Sequence, residues 1–355
     1  MINKEVNRQH VIEALEYIDK YGVPKNRMAT KFYLYHNGNS YPPKYVLSLA
    51  TKIATGKELE PFQFNGGKET NTFLSELKFI IREGSQNINT EKTKASSSKT
   101  INICTAIIQI SQDNWDNIQN SLKVSFLSEV LQSISKSTDI LILPAGFINS
   151  GYSPASSIIK DYELQITNLI KDNCKELVIC MGIDGKNKKE QLAIAVDKSG
   201  IISVARKFHH MDNKVQLAST AFDTELNHQR YFDIKGKRTY LAVCYDIFGI
   251  SRNNLRNEVN CDFIVGVIHG FGKSGGDSDF ARKGLAGAAK QWNVKAYASA
   301  VFSNSRNPTN WTSGVVWKHG DKSVKDFTYN DIKIKSDLNI LKTNLADVYI
   351  RYYEE

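Results

Sequence analysis

Two apolar segments of the chain end in residues that can do chemistry, and a third ends in one that cannot. The run LAVC ends at Cys244, IISVARK ends at Lys207, and DILILPA ends at Ala145. A cysteine attacks an electrophilic carbon as the thiolate, and a free thiol with a pKa of about 8.5 is only slightly ionised at neutral pH. A nucleophilic Cys244 therefore needs an activating group beside it. An isolated cysteine or lysine is ordinarily structural, so the prediction depends on their combination.

These segments belong to a series of apolar runs that predict strands. The runs are rich in Ile and Val and too apolar to be half exposed, and helical stretches separate them. Such interleaving favours an α/β domain whose sheets are covered by helices on their outer faces. Active sites in such folds lie at strand ends, where Lys207 and Cys244 stand. The predicted strands cover residues 101–110, 139–145, 176–183, 191–196, 201–207, 239–247, 262–269 and 295–302, and the predicted helices cover 116–137, 156–173, 249–258 and 277–292.

A polar stretch divides the chain into two parts. Residues 83–100 are dominated by Ser, Thr, Asn, Gln and Lys, a composition typical of a flexible linker. We therefore predict a small N-terminal module at residues 1–82, a linker at 83–100 and a larger domain at 101–355.

Amphipathic spacing and helix boundary residues predict a mainly helical N-terminal module. The predicted helices run over 4–21, from Pro43 to Gly56 and from Thr70 to about Leu77. The segments NGNSYPPKYVLSLA and FNGGKETNTFL resemble a small module found at the N-terminus of some modification-dependent restriction endonucleases and bacterial phage-defence proteins. This resemblance implies a recognition or targeting role in anti-phage defence, with nucleic acid as one ligand. A docking module for an undetermined ligand is the alternative.

The larger domain resembles the carbon-nitrogen hydrolase (nitrilase) superfamily over about residues 101–320. The three strand ends and the later segment GLAGAAKQWNVKAYASAVFSN carry this resemblance. In that superfamily a Glu, a Lys and a Cys stand in this chain order at the ends of neighbouring strands. The resemblance implies a four-layer α-β-β-α sandwich that forms homodimers or higher homo-oligomers. It also implies hydrolysis of a C–N bond in a small amide- or nitrile-like substrate through a thioester, without a cofactor.

The resemblance also implies a role for individual residues. Cys244 would be the nucleophile, Lys207 the cation that stabilises the charge developing on the substrate, and the backbone N–H of Tyr245 a second donor to that charge. The residues that would border the substrate pocket are His269, Gly270 and Phe271.

Ala145 stands where the superfamily has its glutamate. An alanine neither accepts nor donates a proton, and loss of a general base costs roughly 10²- to 10⁴-fold in rate. We therefore expect an inactivated form, through an introduced substitution or in a natural domain that lost or rebuilt its chemistry. Glu225 is a candidate for a second carboxylate. The alternative functions are a catalytically silent nitrilase-like ligand sensor or partner-binding protein, and a nucleic-acid-binding defence protein.

Composition limits the remaining classes of partner. The 46 basic and 37 acidic residues give a net charge of +9, which permits an anionic partner without demonstrating one. The adjacent pair His209 and His210 lacks the spacing of metal ligands, so we expect no metal site.

No segment is long and apolar enough to span a membrane, and no signal peptide is evident, which predicts the cytoplasm. The cysteines form no C-x-x-C pair; they are Cys104, Cys174, Cys180, Cys244 and Cys261.

Overall fold

The computed structural model describes residues 5–24, 27, 31–36, 39–59, 63–64, 67–77, 79–83, 100–111, 115–173, 176–210, 214–271, 276–316, 330–331 and 338–355. The chain divides into a unit of residues Met1–Ser97 and a unit of residues Ser98–Glu355. The division falls inside the predicted linker, of which residues 84–99 lie outside the described residues. Cys174 also lies outside them.

The N-terminal unit combines helices with a small antiparallel sheet. Its helices are α1 (Arg8–Tyr21), α2 (Pro43–Thr55) and α3 (Lys68–Glu76), and its strands are β1 (Phe32–His36), β2 (Asn39–Tyr41) and β3 (Ile80–Glu83). The strands pair in the order β2-β1-β3. The three helices lie close to their predicted positions. The sheet was not predicted, because its strands are short and β1 buries two consecutive residues, Tyr33 and Leu34, instead of alternate ones.

Local signals explain the helices of this unit. The Asn7 side chain accepts a hydrogen bond from the backbone N–H of His10 and so caps α1. Pro43 starts α2 at a position where its missing N–H costs nothing, and Gly56 ends it in the left-handed conformation. The apolar faces of α1 and α2 form the core of the unit, with Val11, Leu15, Ile18, Val46, Leu49 and Ala50.

The C-terminal unit is built from two sheets. The first has strand order β17-β18-β4-β5-β7-β8-β9, with β14 beside β4 and β6 beside β7; the second has the order β10-β11-β12-β13-β15-β16. The strands of the first sheet are β4 (Asn102–Ile110), β5 (Ile140–Ile142), β6 (Ile148–Asn149), β7 (Val178–Gly185), β8 (Glu190–Asp197), β9 (Gly200–Arg206), β14 (Val301–Phe302), β17 (Asn339–Lys342) and β18 (Ala346–Glu354). Those of the second are β10 (Tyr231–Ile234), β11 (Lys237–Val243), β12 (Phe263–Val267), β13 (Lys295–Ser299), β15 (Gly314–Val316) and β16 (Asn330–Asp331).

The two sheets pack face to face, with helices on their outer faces. Strands β11, β12 and β13 contact β8, β7 and β4 across the interface. Helices α4 (Asn120–Ser133) and α5 (Ser156–Asn173) cover the first sheet. Helices α6 (Asp246–Arg252) and α8 (Ala286–Trp292) cover the second, and α8 continues from a short turn, α7 (Asp277–Asp279), through a π-helical segment at Phe280–Leu285. The prediction of an α/β sandwich with helical outer layers is confirmed.

Parallel strands bring several chain segments to one edge of the sandwich. Strands β5 and β7 run parallel in the first sheet, and β11, β12 and β13 run parallel in the second. Parallel strands end at the same edge, so the residues that follow β5, β11 and β12 come close together. Those residues are Ala145, Cys244 and His269, and the backbone N–H of Ala145 donates to Ile268 O at 3.1 Å.

Two sequence expectations are corrected by the fold. Helix α6 spans Asp246–Arg252, not 249–258, and so begins almost directly after Cys244. Strand β18 was not predicted, although it pairs along all of β4. Its Arg351 is buried, and the guanidinium donates to carbonyl oxygens, including Pro308 O at 3.0 Å. These hydrogen bonds account for a charged residue inside a central strand.

Within the described part of the chain, no helix has the length and apolar composition needed to cross a membrane.

Candidate active site

A cavity of about 410 Å³ lies at the edge where the strand ends meet. Polar residues from both sheets line it, together with the aromatic residues Trp115, Tyr245 and Phe271. The lining residues are Ile110, Trp115, Asp116, Ala145, Lys188, Gln191, Lys207, His210, Cys244, Tyr245, His269, Gly270, Phe271, Val301 and Ser303. The cavity thus contains Cys244, Lys207, Ala145, Tyr245 and the predicted pocket residues at 269–271.

Cys244 occupies a sharp turn between β11 and α6. Its backbone has a φ of 49°, a left-handed conformation that is uncommon for a residue with a side chain. The Cys244 N–H donates to Val267 O at 2.7 Å, which ties the turn to the neighbouring strand β12. Strained backbone of this kind is found at functional sites, where the surrounding structure holds it in place. Here it presents the thiol to the cavity.

Asp246 connects the Cys244 turn to the Lys207 turn. Its fully buried carboxylate accepts hydrogen bonds from the backbone N–H groups of Phe208 at 2.7 Å, His209 at 3.0 Å and Val243 at 3.1 Å. It also pairs with the buried guanidinium of Arg230 at 2.8 Å. These bonds fix the two turns relative to each other.

Lys207 is buried and points its ammonium at polar partners in the cavity. Its Nζ donates to Gln191 Oε1 at 2.7 Å and lies 5.4 Å from the centre of the Tyr245 ring. Gln191 is oriented for this contact because its own amide nitrogen donates to Lys188 O at 3.1 Å. Gln191 was not predicted as a site residue, since it reads only as the first residue of a strand.

His269 lies between Cys244 and a buried carboxylate on the other sheet. Its Nε2 is 2.9 Å from Asp184 Oδ2 and 3.1 Å from Asp184 Oδ1. His269 and Cys244 line the same cavity, and His269 lowers the pKa of the Cys244 thiol. Asp184 is on β7 and is fully buried. Sequence reasoning missed it; its one signal was a carboxylate inside an otherwise apolar strand.

The charges of these groups favour the ionised forms of Cys244 and His269. Burial raises the pKa of the Cys244 thiol, but the positive charges of Lys207 and His269 and the hydrogen bonds from His269 outweigh it and bring the pKa to about 7. Burial lowers the pKa of His269, but Asp184 and Cys244 outweigh it and raise the pKa to about 10. At neutral pH the pair therefore favours a thiolate beside an imidazolium.

Small residues make room for this pair beside Ala145. A Cβ on Gly182 would lie 2.3 Å from the Cα of Ala145, so the two backbones approach too closely for a side chain. A Cβ on Gly146 would lie 2.9 Å from Asp184 Oδ2 and 3.4 Å from His269 Cδ2. The carboxylate and imidazole thus occupy the space directly next to position 145.

Glu225 does not belong to this cluster. Its carboxylate binds the Arg206 guanidinium, with Oε2 2.7 Å from Nε and Oε1 2.9 Å from Nη2, and it is not among the residues that line the cavity. The structure thus places Glu225 in an ion pair and not in the lining of the cavity, and its role as a second carboxylate stays a prediction. Within the described part of the chain, no group of three or more His, Cys, Asp or Glu is placed to hold a metal ion.

Comparison with known proteins gives a family for the N-terminal part of the chain. Residues 4–83 match the family model described as the ScoMcrA-like N-terminal head domain. These residues include the segments NGNSYPPKYVLSLA and FNGGKETNTFL, which carry the resemblance stated from the sequence. No curated protein matches the sequence.

Solved structures similar to the chain include forms of an amidase from Nesterenkonia AN1, a member of the nitrilase superfamily. A cysteine-to-alanine mutant is 11% identical with a TM-score of 0.43, covering 57% of this chain and 76% of the amidase. A double mutant in complex with acrylamide is 10% identical with a TM-score of 0.44, covering 60% and 81%. A mutant in complex with butyramide is 10% identical with a TM-score of 0.43, covering 57% and 76%.

Proposed function

We propose that the C-terminal unit is a cysteine-dependent hydrolase of the carbon-nitrogen hydrolase type, acting on the C–N bond of a small amide-like substrate through a thioester. The observation that carries this proposal is the cavity itself. In it a cysteine on a left-handed turn faces the buried ammonium of Lys207 and the imidazole of His269.

The Cys244 thiolate would attack the carbonyl carbon of the amide, which places negative charge on the carbonyl oxygen. Lys207 supplies a fixed positive charge in the same cavity, and its hydrogen bond to Gln191 holds it there. The backbone N–H of Tyr245, the residue after the nucleophile, is the proposed second donor. Loss of one such donor costs about 3 kcal/mol of transition-state stabilisation.

The shape of the cavity limits the substrate. A volume of about 410 Å³ is in the range of sites for small organic molecules. Trp115, Tyr245 and Phe271 give it an aromatic wall that suits an apolar acyl or amine group. Lys188 and Asp116 form an ion pair in the lining, so charged groups of both signs are available to a polar end of the substrate.

The N-terminal unit is proposed to target this hydrolase, in keeping with the defence role that its sequence resemblance implies. It is a separate compact unit with its own apolar core. If its target is nucleic acid, the full-length protein should bind DNA or RNA in filter binding more tightly as salt is lowered, because phosphate contacts release counterions. No binding at low salt would remove nucleic acid as the target.

Mass spectrometry of the intact protein tests the proposed reaction. The full-length protein is incubated with a panel of small aliphatic and aromatic primary amides, and both ammonia release and the mass of Cys244-containing peptides are followed. We expect at least one amide to release ammonia and to leave an acyl group on Cys244. Cys261→Ser, which changes a buried thiol outside the cavity, is the matched control and should behave like the unmodified protein.

Cys244→Ser should abolish both signals, and Lys207→Met should slow acylation because it removes the cation. Ammonia release that survives Cys244→Ser would refute the cysteine mechanism. Absence of any acyl-enzyme and of any ammonia across the panel would favour the ligand-sensing alternative.

A further inference from the structure

We propose that His269, positioned by Asp184, performs the proton transfers that Ala145 cannot, so that Cys244, His269 and Asp184 form a catalytic triad and this chain is active with alanine at position 145. The inference rests on the proposed hydrolase function, and it replaces the expectation that the chain is an inactivated form. In this arrangement His269 is a catalytic residue, and Asp184 is a positioning residue that acts through it.

The hydrogen bonds assign a side of the imidazole to each partner. Nε2 faces the Asp184 carboxylate, with both oxygens within 3.1 Å. Nδ1, the other ring nitrogen, is then the atom available to the Cys244 sulfur, which lines the same cavity. A nucleophile bonded to a base that a third group orients is the general pattern of an activated nucleophile.

Two glycines near position 145 leave the space that Asp184, His269 and the backbone of Ala145 occupy. Asp184 is fully buried, and a buried carboxylate without a partner is strongly unfavourable. Gly146 and Gly182 are the residues whose lack of a side chain admits Asp184, His269 and the backbone of Ala145. The group that transfers protons, His269, thus follows β12. Ala145, which follows β5, lines the cavity but carries no group that can transfer a proton.

Acylation uses His269 as an acid. The Cys244 thiolate forms a bond to the carbonyl carbon, and the carbonyl π electrons move to the oxygen beside Lys207. When the tetrahedral intermediate collapses, the C–N bond breaks and its electron pair goes to nitrogen. The Nδ1–H of the imidazolium gives its proton to that nitrogen, and a neutral amine or ammonia leaves. The products of this half-reaction are a thioester and a neutral imidazole.

Deacylation uses the same group as a base. Neutral Nδ1 accepts a proton from water as the water oxygen bonds to the thioester carbon. Collapse breaks the C–S bond, its electron pair stays on sulfur, and the thiolate and imidazolium are restored. The carboxylic acid product then loses its own proton to solvent. Asp184 keeps Nε2–H oriented throughout and stabilises the positive charge whenever Nδ1 is protonated.

The pH dependence of Cys244 alkylation tests this triad without a known substrate. The full-length protein is treated with iodoacetamide at a series of pH values, and the rate at Cys244 is read from peptide mass spectrometry. We expect a midpoint near neutral pH, below the value of about 8.5 for a free thiol. We expect Asp184→Asn and His269→Gln each to move the midpoint upward by about one pH unit or more.

Asp233→Asn is the matched control because it removes a carboxylate from the ion pair with Arg238 outside the cavity, and its midpoint should equal that of the unmodified protein. A midpoint that stays unchanged in folded Asp184→Asn and His269→Gln overturns the triad. If His269→Gln does not fold, Asp184→Asn decides alone, since it removes a charge with almost no change in volume.

The two proposals fail in different ways. A midpoint that depends on His269 and Asp184, without acylation by any amide, supports the activating triad and counts against the hydrolase. Acylation and ammonia release that persist at full rate in Asp184→Asn and His269→Gln support the hydrolase and overturn the triad.

Discussion

Replacing Lys123 by methionine should stabilise the protein at neutral pH. Lys123 lies on α4 and is fully buried, and its Nζ has no hydrogen-bond partner in the described part of the chain. Its Nζ lies 5.3 Å from the centre of the Trp115 ring. Burial lowers the pKa of this ammonium from 10.5 to about 8, and attraction to Asp116 and Asp184 only partly offsets it.

The size of the effect follows from that pKa. One pH unit corresponds to about 1.4 kcal/mol, so the difference between 10.5 and about 8 makes the buried charge cost about 3 kcal/mol. The unfolded chain keeps its proton up to about 10.4, whereas the native state loses it near 8. Between these values the unfolded state binds more protons, so the stability of the unmodified protein rises with pH. The destabilisation by the buried Lys123 charge is complete below the pKa of Lys123 in the native state. It is absent above the pKa of Lys123 in the unfolded chain.

Urea and thermal unfolding of Lys123→Met measure this directly. We expect the variant to be about 2–3 kcal/mol more stable at neutral pH, as a methionine fills a similar volume without a charge. The difference should shrink steadily toward pH 10. Lys160→Met, at an exposed position on α5, is the matched control and should change little at either pH. A variant that is less stable at neutral pH, or a difference that does not depend on pH, would refute the reasoning.

Two further substitutions test how the site is held together. Asp246→Asn should lower the free energy of unfolding by about 3–5 kcal/mol, because it leaves the buried Arg230 charge without its partner; urea denaturation measures this, and a loss under about 1 kcal/mol would contradict it. Gly182→Ala should cost about 1–3 kcal/mol or more in the same assay, because its Cβ would lie 2.3 Å from the Cα of Ala145. Gly270→Ala, where no atom lies closer than 3.4 Å to the added Cβ, is its control, and equal stability of the two variants would count against the packing argument.

The parts of the fold that the sequence could predict are those with local signals. The apolar runs of β4 and β7 and the helices of the N-terminal unit depend on residues near in the chain, and they lie close to their predicted positions. Strand β11 ends at Val243, and the last two residues of the predicted strand, Asp246 and Ile247, begin α6 instead. The position of Cys244 and Lys207 in the lining of one cavity was also predictable, since each follows a strand and carries a reactive group. Strand β18 was missed because Arg351 interrupts its apolar pattern, and only the tertiary structure supplies the carbonyl oxygens that bind this guanidinium.

The pairing of Asp184 with His269 could not be predicted, because the two residues are distant in the chain. Asp184 and His269 are 85 positions apart and come from different sheets. His269 was predicted to border the pocket, but its role depends on the carboxylate behind it. A carboxylate inside a buried strand signals only that some partner must exist, and the sequence does not say which of the histidines it is.

Ala145→Glu distinguishes a rebuilt site from an inactivated one. If alanine merely truncated a former base, restoring a carboxylate would increase acylation of Cys244 by amides. The structure predicts the opposite, because the new carboxylate would enter a cavity where Asp184 already provides the negative charge for His269. A second negative charge near the sulfur disfavours the thiolate, so the midpoint should rise and alkylation at neutral pH should slow. Faster acylation by Ala145→Glu, measured against the same amides, would show instead that the chain carries an inactivating alanine.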